Sequence, residues 1–165
     1  MNFKSVIAAI ILAIINLSAQ AEGMYGTLGI GSTSNWGSGF TLAVGKSDIA
    51  ALQLNKKNIL IAVEAGYVDF GSKRDFDSSK KASAFYGAAV GTFDLQNKLS
   101  ANVKLGLSIG TSDKCAPGGC VSGSNSGLLF GAGVQYDLGG DLSAGVDYKI
   151  FDGSGFFGFN GSMKF

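Results

Sequence analysis

The sequence predicts an all-β chain, an eight-stranded antiparallel up-and-down transmembrane β-barrel. Three observations carry that expectation. First, eight segments of about ten residues alternate apolar side chains with polar or small ones, the two-residue period of a strand with unlike faces; a strand crossing a bilayer needs about 9–11 residues. Second, the non-apolar face is small, glycine-rich and sparsely charged. The chain has 26 Gly, 1 Pro and 15% charged residues, against about a quarter charged in ordinary domains. Third, short and longer connections alternate around an even number of strands, as in outer-membrane-type barrels.

A separate segment precedes the barrel. Lys4 supplies a positive start, Val6–Ile15 is an unbroken apolar run, and Ala19-Gln20-Ala21 is a small-x-small cleavage pattern. The run is too short for a spanning helix, so residues 1–21 are expected to be a secretory leader cut between Ala21 and Glu22. Residues 22–165 then form one domain. Losing Lys4 brings Lys+Arg level with the 12 Asp+Glu, and a neutral chain offers no field for nucleic acid.

The strands follow in order. Met24–Gly31 sets Tyr25, Thr27 and Gly29 against Gly26, Leu28 and Ile30. Ser32–Ser38 reads as a loop. Gly39–Lys46 aligns Phe40, Leu42 and Val44. Ser47–Asn58 reads as a turn with local structure, its Asp-Ile-Ala-Ala-Leu suited to a helical turn capped by Ser47, with an extension of the strand as the alternative. Ile59–Gly71 aligns Ile59, Ile61, Val63, Ala65 and Tyr67 opposite Glu64 and Gly66. Gly71–Lys81 reads as a polar loop. Ala82–Phe93 aligns Ala84, Tyr86, Ala88 and Val90. After a turn at Asp94–Lys98, Leu99–Gly110 alternates throughout, with Leu99, Ala101, Val103, Leu105, Leu107 and Ile109 on one face. Thr111–Gly127 reads as the longest polar loop. Leu128–Tyr136 aligns Leu128, Phe130, Ala132, Val134 and Tyr136. The tight turn Asp137–Asp141 leads to Leu142–Phe151, with Leu142, Ala144, Val146, Tyr148 and Ile150 aligned. Gly155–Phe165 closes the chain with Phe157, Phe159, Met163 and Phe165 aligned.

Alternation alone fits a soluble barrel with the apolar rows inside, or a membrane barrel with them outside. The opposite rows decide. They hold Glu64, Gly66, Asn102, Lys104, Gly106, Ser108, Gly133, Gln135, Asp147, Lys149 and Asn160. A soluble exterior would carry many dispersed charges, whereas these residues suit a narrow filled lumen. The apolar rows are therefore expected to touch lipid.

Val63-Glu-Ala-Gly-Tyr-Val-Asp-Phe-Gly71 resembles the third-strand signature of the small outer-membrane barrels, the OmpA/OmpX type and the opacity-like surface proteins. Lys104-Leu-Gly resembles their fifth strand, Gly131-Ala-Gly-Val-Gln-Tyr136 their sixth, and the strand ending in Phe165 their last. The long Ser47–Asn58 connection departs from the pattern. The resemblance implies a Gram-negative outer-membrane location, with membrane lipid and lipopolysaccharide as surroundings. It also implies that the insertion machinery reads Phe165. The lipid-modifying enzymes among such barrels generally place a His as base; this chain has no His, so a Ser-His-Asp site cannot form and a non-enzymatic role is expected, with no cofactor.

Glu64, Lys104 and Asp147 each stand sixth in strands of the same direction, near mid-barrel. An eight-stranded lumen is only wide enough for side chains to fill, and an unpaired charge there is expensive. Lys104 is expected to pair with Glu64 or Asp147, and Lys149 with the other, as a structural plug; a gate in a narrow pore is the alternative. Cys115 and Cys120 flank Ala-Pro-Gly-Gly in an exported loop and are expected to form a disulfide; two thiols without His are a poor metal set. Lys73, Arg74, Lys80 and Lys81, with Phe76 among them, are either a solvated loop or a contact for acidic host or surface glycans and lipopolysaccharide phosphates. Trp36 and Phe151 near loop tips are further contact candidates, Phe151 equally a member of an interfacial aromatic girdle. Together these readings give an envelope protein acting in structure or in surface interaction and adhesion through its loops. A narrow pore and a soluble periplasmic ligand-binding barrel are the competing readings.

Overall fold

The computed structural model describes residues 23–34, 36–54, 57–75 and 78–165, so the leader and its cut at Ala21–Glu22 lie outside the described residues. Eight strands, β1 (Met24–Thr33), β2 (Gly37–Leu54), β3 (Lys57–Asp75), β4 (Ser78–Gln96), β5 (Leu99–Ala116), β6 (Gly119–Gly139), β7 (Leu142–Phe151) and β8 (Ser154–Lys164), follow one another around a closed barrel. Every neighbouring pair is antiparallel, and β8 closes on β1 from Tyr25↔Lys164 to Ser32↔Phe157. Closure leaves no unpaired edge in the lipid, where an orphaned N–H or C=O costs several kcal/mol. The C-terminus is tied in, with Phe165 N–H donating to Met24 O at 2.9 Å.

The strand faces settle which row looks where. Val103, Leu105 and Leu107 are 51%, 57% and 68% exposed, while Asn102 and Lys104 between them are 5% and 7% exposed. The soluble alternative requires the reverse. Outside, Phe40, Tyr67 and Phe85 stack laterally across β2, β3 and β4, with ring centroids 6.0 and 4.9 Å apart. Such a band suits the boundary between acyl chains and headgroups.

Three hairpins run longer than the alternation suggests. Ser47–Asn58 is not a helical turn: β2 continues through it, paired from Ala50↔Ile61 to Leu54↔Lys57. The extra residues sit in a bulge between Lys46 and Ala50, where Asp48 takes φ 59°, a left-handed conformation that Asp tolerates better than most residues. The Gly71–Lys81 and Thr111–Gly127 segments are also ladder rather than loop. β3–β4 pairs out to Asp75↔Ser78 and β5–β6 out to Ala116↔Gly119. The only proline of the chain, Pro117, falls in the turn between β5 and β6, so no proline interrupts the hydrogen bonding of these strands.

The lumen is divided. Toward the end that carries the termini it is polar. Toward the far end it is closed by an apolar cluster of Val68, Phe70, Ala84, Tyr86, Leu129, Phe151 and Phe156, with Trp36 and Ala82 packed against it. This corrects two expectations. The aligned row Ala84, Tyr86, Ala88 and Val90 faces the lumen, not lipid, and Phe85 is the outward residue. Likewise Phe151 is 4% exposed inside the barrel, neither a loop-tip anchor nor a girdle member. β4 is apolar on both faces, so its alternation cannot choose a side; a dry half-lumen accepts the small-and-aromatic row.

Candidate functional site

The four lumen charges come from three strands of the barrel wall. Glu64 leaves β3, Lys104 leaves β5, and Asp147 and Lys149 leave β7 two residues apart, which puts them on one face. β4 separates Glu64 from Lys104 but sets only Ala88 opposite Glu64 and Val90 opposite Lys104. The lysine therefore reaches across a small residue. Lys104 Nζ donates to Glu64 Oε1 at 2.6 Å and to Oε2 at 2.8 Å. Tyr25 OH donates to Oε2 at 3.0 Å and Tyr86 OH to Oε1 at 2.9 Å. Lys149 Nζ lies 2.6 Å from Asp147 Oδ2 and 5.9 Å from the centroid of the Phe156 ring. All four charged residues are buried, and their formal charges cancel. Burying charge is tolerable only when it is paired and hydrogen-bonded in this way.

Glycines make room for the phenols. Tyr86 stands opposite Gly66 on β3 and Tyr25 opposite Gly45 on β2. A Cβ on Gly66 would lie 2.5 Å from Tyr86 Cζ, inside van der Waals contact. Gly66→Ala is expected to destabilise the barrel by about 1–3 kcal/mol through overpacking, read as a lower urea midpoint for the protein refolded in vesicles. An unchanged midpoint would mean that the ring does not occupy that space.

At the far end the β3–β4–β5 extension carries a second arrangement. The ladder pairs Lys73 with Lys80 and Lys80 with Lys114. Three lysines thus form one lateral row over three adjacent strands, which lie about 4.8 Å apart. The row shares the face of Ala82, which packs on the apolar cluster, so it looks toward the mouth of the barrel. Lys81 faces the other way, in line with Ser72 and Asp113. Phe76 lies outside the described residues, as does the side chain of Arg74. Trp36 is half-buried and covers the apolar cluster, rather than standing free at a tip. Cys115 and Cys120, directly opposite in the β5–β6 ladder, are joined by a disulfide. Sequence reading missed Lys114, which is distant in sequence from the other basic residues. Only the register brings it into the row.

Below the lysines a recess of about 120 Å³ is lined by Trp36, Ser112, Asn125 and Asp152, among others. Asn125 Nδ2 donates to Asp152 Oδ2 there at 2.6 Å. An indole beside hydroxyl and amide groups, under a row of ammonium groups, is chemistry that suits a saccharide bearing negative charge.

A family model described as "Outer membrane protein beta-barrel domain" matches residues 5–164. Among solved structures, the N-terminal β-barrel domain of Pseudomonas aeruginosa OprF superposes with a TM-score of 0.60 at 13% identity, covering 88% of this chain and 100% of that one. The attachment invasion locus protein Ail of Yersinia pestis gives 0.55 at 16% identity, covering 87% and 99%. A further structure of it, in complex with the heparin analogue sucrose octasulfate, gives 0.50 at the same identity and coverage. The outer membrane enzyme PagL gives 0.53 at 17% identity, covering 86% and 99%. Compared with curated protein sequences, the chain gives no significant match.

Proposed function

The chain belongs to the outer membrane protein beta-barrel domain family, and on that premise we propose that it is a non-catalytic surface protein whose far end holds anionic polysaccharide. The longer hairpins of such barrels face outward and the short turns and termini face the periplasm, which puts the lysine row outside the cell. Export by the leader, cleavage between Ala21 and Glu22, and recognition of Phe165 by the insertion machinery complete the reading. The fold does not decide between binding and catalysis, since PagL is an enzyme. The absence of His from the whole chain favours binding.

The observation that carries the proposal is the row Lys73, Lys80, Lys114. Like charges directly opposite in a sheet are unfavourable, each pair by a few tenths to about 1 kcal/mol. Among the residues whose side chains are described, which leave out those of 74–78, no carboxylate lies within ion-pair distance of any of the three. A chain of sulfate or phosphate groups removes that repulsion and gains charge-assisted hydrogen bonds. The heparin analogue bound in an Ail structure is a ligand of the same chemistry on a barrel of the same shape.

The test is retention of the folded protein on immobilised heparin. Lys73→Ala, Lys80→Ala and Lys114→Ala combined are expected to weaken binding by roughly tenfold or more, at about 0.5–1 kcal/mol per exposed charge, and to flatten its salt dependence. Lys98→Ala with Lys164→Ala, at the opposite end, serves as the control. Equal losses in the two variants would reduce the effect to net charge and end the proposal.

A further inference from the structure

The sheet that rises beyond the barrel at the far end has two free edges among the described residues. β2 pairs with β3 only as far as Phe40↔Asp69, and β7 pairs with β6 only from Leu129↔Phe151 onward. Past those points β3, β4, β5 and β6 continue as a ladder of their own. The β3 edge carries Lys73, Arg74 and Asp75, the kind of charge that keeps an exposed edge from pairing with another chain. The β6 edge has no such guard. Residues 119–127 include no charged residue and no proline, and residues 119–126 are exposed.

The register tells which backbone groups this edge offers. The two-residue turn at 117–118 makes Ala116 and Gly119 exchange both of their backbone hydrogen bonds, and such pairs recur at every second residue. Cys120, Ser122, Ser124 and Ser126 therefore aim N–H and C=O away from β5. Leu128, next in that series, does so too, its carbonyl accepting from Asp152 N–H at 3.4 Å. The Cys115–Cys120 disulfide staples β6 to β5 near the tip, which holds the edge extended before any partner arrives.

We propose that this edge pairs antiparallel with the same edge of a second copy held in a facing membrane. Val121 and the disulfide apart, the edge presents only glycine, serine and asparagine, so its message is the repeat of backbone groups, which a second copy matches in number and spacing. Full overlap is a two-fold contact. It sets Ser122 opposite Ser124 and Cys120 opposite Ser126 of the second copy, each pair exchanging two hydrogen bonds. The row of Lys114 and Val121 then runs on into Asn125 and Gly110 of the other sheet, so no two lysines face each other. Direction decides where the second copy sits. Strands of such barrels tilt about 35–45° from the membrane normal, so every β6 in one bilayer runs in the same sense along it, and an antiparallel partner comes from the opposite bilayer. An edge contact is small beside the roughly 1,000 Å² of a stable interface, so it acts through many copies between two surfaces. The inference rests on the outward orientation of the far end, not on the lysine row.

The test is clustering of phosphatidylcholine vesicles that carry the refolded protein, followed by light scattering. Clustering that rises steeply with protein density is expected. Ser122→Pro with Ser124→Pro removes two outward N–H donors and none from the β5 ladder, and is expected to slow clustering by about tenfold or more. Ser122→Lys with Ser124→Lys sets lysine against lysine across the contact and is expected to slow it to a similar degree, with recovery in high salt. The lysine variant keeps every backbone donor, so the test stands where the proline variant fails to fold; gel mobility shows which variants are folded. The combined Lys73→Ala, Lys80→Ala and Lys114→Ala variant still clusters vesicles, which separates this contact from heparin binding. Vesicles of the unmodified protein that stay dispersed overturn the proposal, as they do if the edge serves a strand of a different protein. An unchanged rate at low salt in either folded edge variant overturns it as well.

Discussion

Glu64→Ala is expected to destabilise the barrel by about 3–5 kcal/mol, the usual penalty for breaking one side of a buried ion pair. The carboxylate accepts from Lys104, Tyr25 and Tyr86, so its removal strands one ammonium and two phenols, while the other lumen carboxylate, Asp147, already holds Lys149. Lys104 bears most of the penalty, because an uncompensated cation is harder to bury than an unpaired hydroxyl. The paired substitution Glu64→Leu with Lys104→Met removes both charges and leaves only the phenols unsatisfied. It is expected to cost less than half as much as Glu64→Ala. Urea unfolding of vesicle-refolded protein, followed by Trp36 fluorescence and by gel mobility, reads both variants. Additive losses in the double variant would mean that the two side chains stabilise the barrel separately, and the pair would lose its role as a coupled plug.

The arithmetic of alternation made much of this legible, and its limits are physical. Parity alone assigns Lys104, Asn102, Asp147 and Lys149 to the lumen, because the opposite positions are apolar over Leu99–Gly110 of β5 and throughout β7. Parity cannot say which carboxylate Lys104 meets. That depends on the stagger between β3, β4 and β5, which local sequence does not encode. The same ignorance of register hid the lysine row, whose third member lies 34 residues beyond the second. Phe151 and Phe156 were hidden for another reason. Their parity puts them inside, but a lumen conceived as polar throughout gave an inward phenylalanine no place. Local propensity leaves Ser47–Asn58 open between a helical turn and more strand, and the ladder decides for strand. Once β3 is fixed in the barrel, its edge pairs the β2 extension from Ala50 to Leu54, past the Asp48 bulge.

Phe156→Ala is expected both to weaken the fold by about 3–5 kcal/mol and to open the lumen to ions. Phe156 is fully buried, and its ring occupies the space left by two glycines. A Cβ on Gly31 would lie 2.7 Å from Phe156 Cε1, and one on Gly158 2.9 Å from it. Phe70 contacts both Phe151 and Phe156, with centroids 5.2 and 6.3 Å away, so the three rings form one lid across the far half of the lumen. Deleting one ring leaves glycine beneath it and no side chain able to swing across. The Lys149 ammonium, now beside the ring, would then border a wet gap. Planar-bilayer recording is expected to find the unmodified protein silent, and Phe156→Ala with Phe70→Ala conducting in discrete steps. If instead the unmodified protein conducts as well as the double variant, the rings are not the barrier. Passage would then run past Glu64 and Lys104, the narrow-pore reading would replace the plug, and the surface would be a secondary feature of a channel.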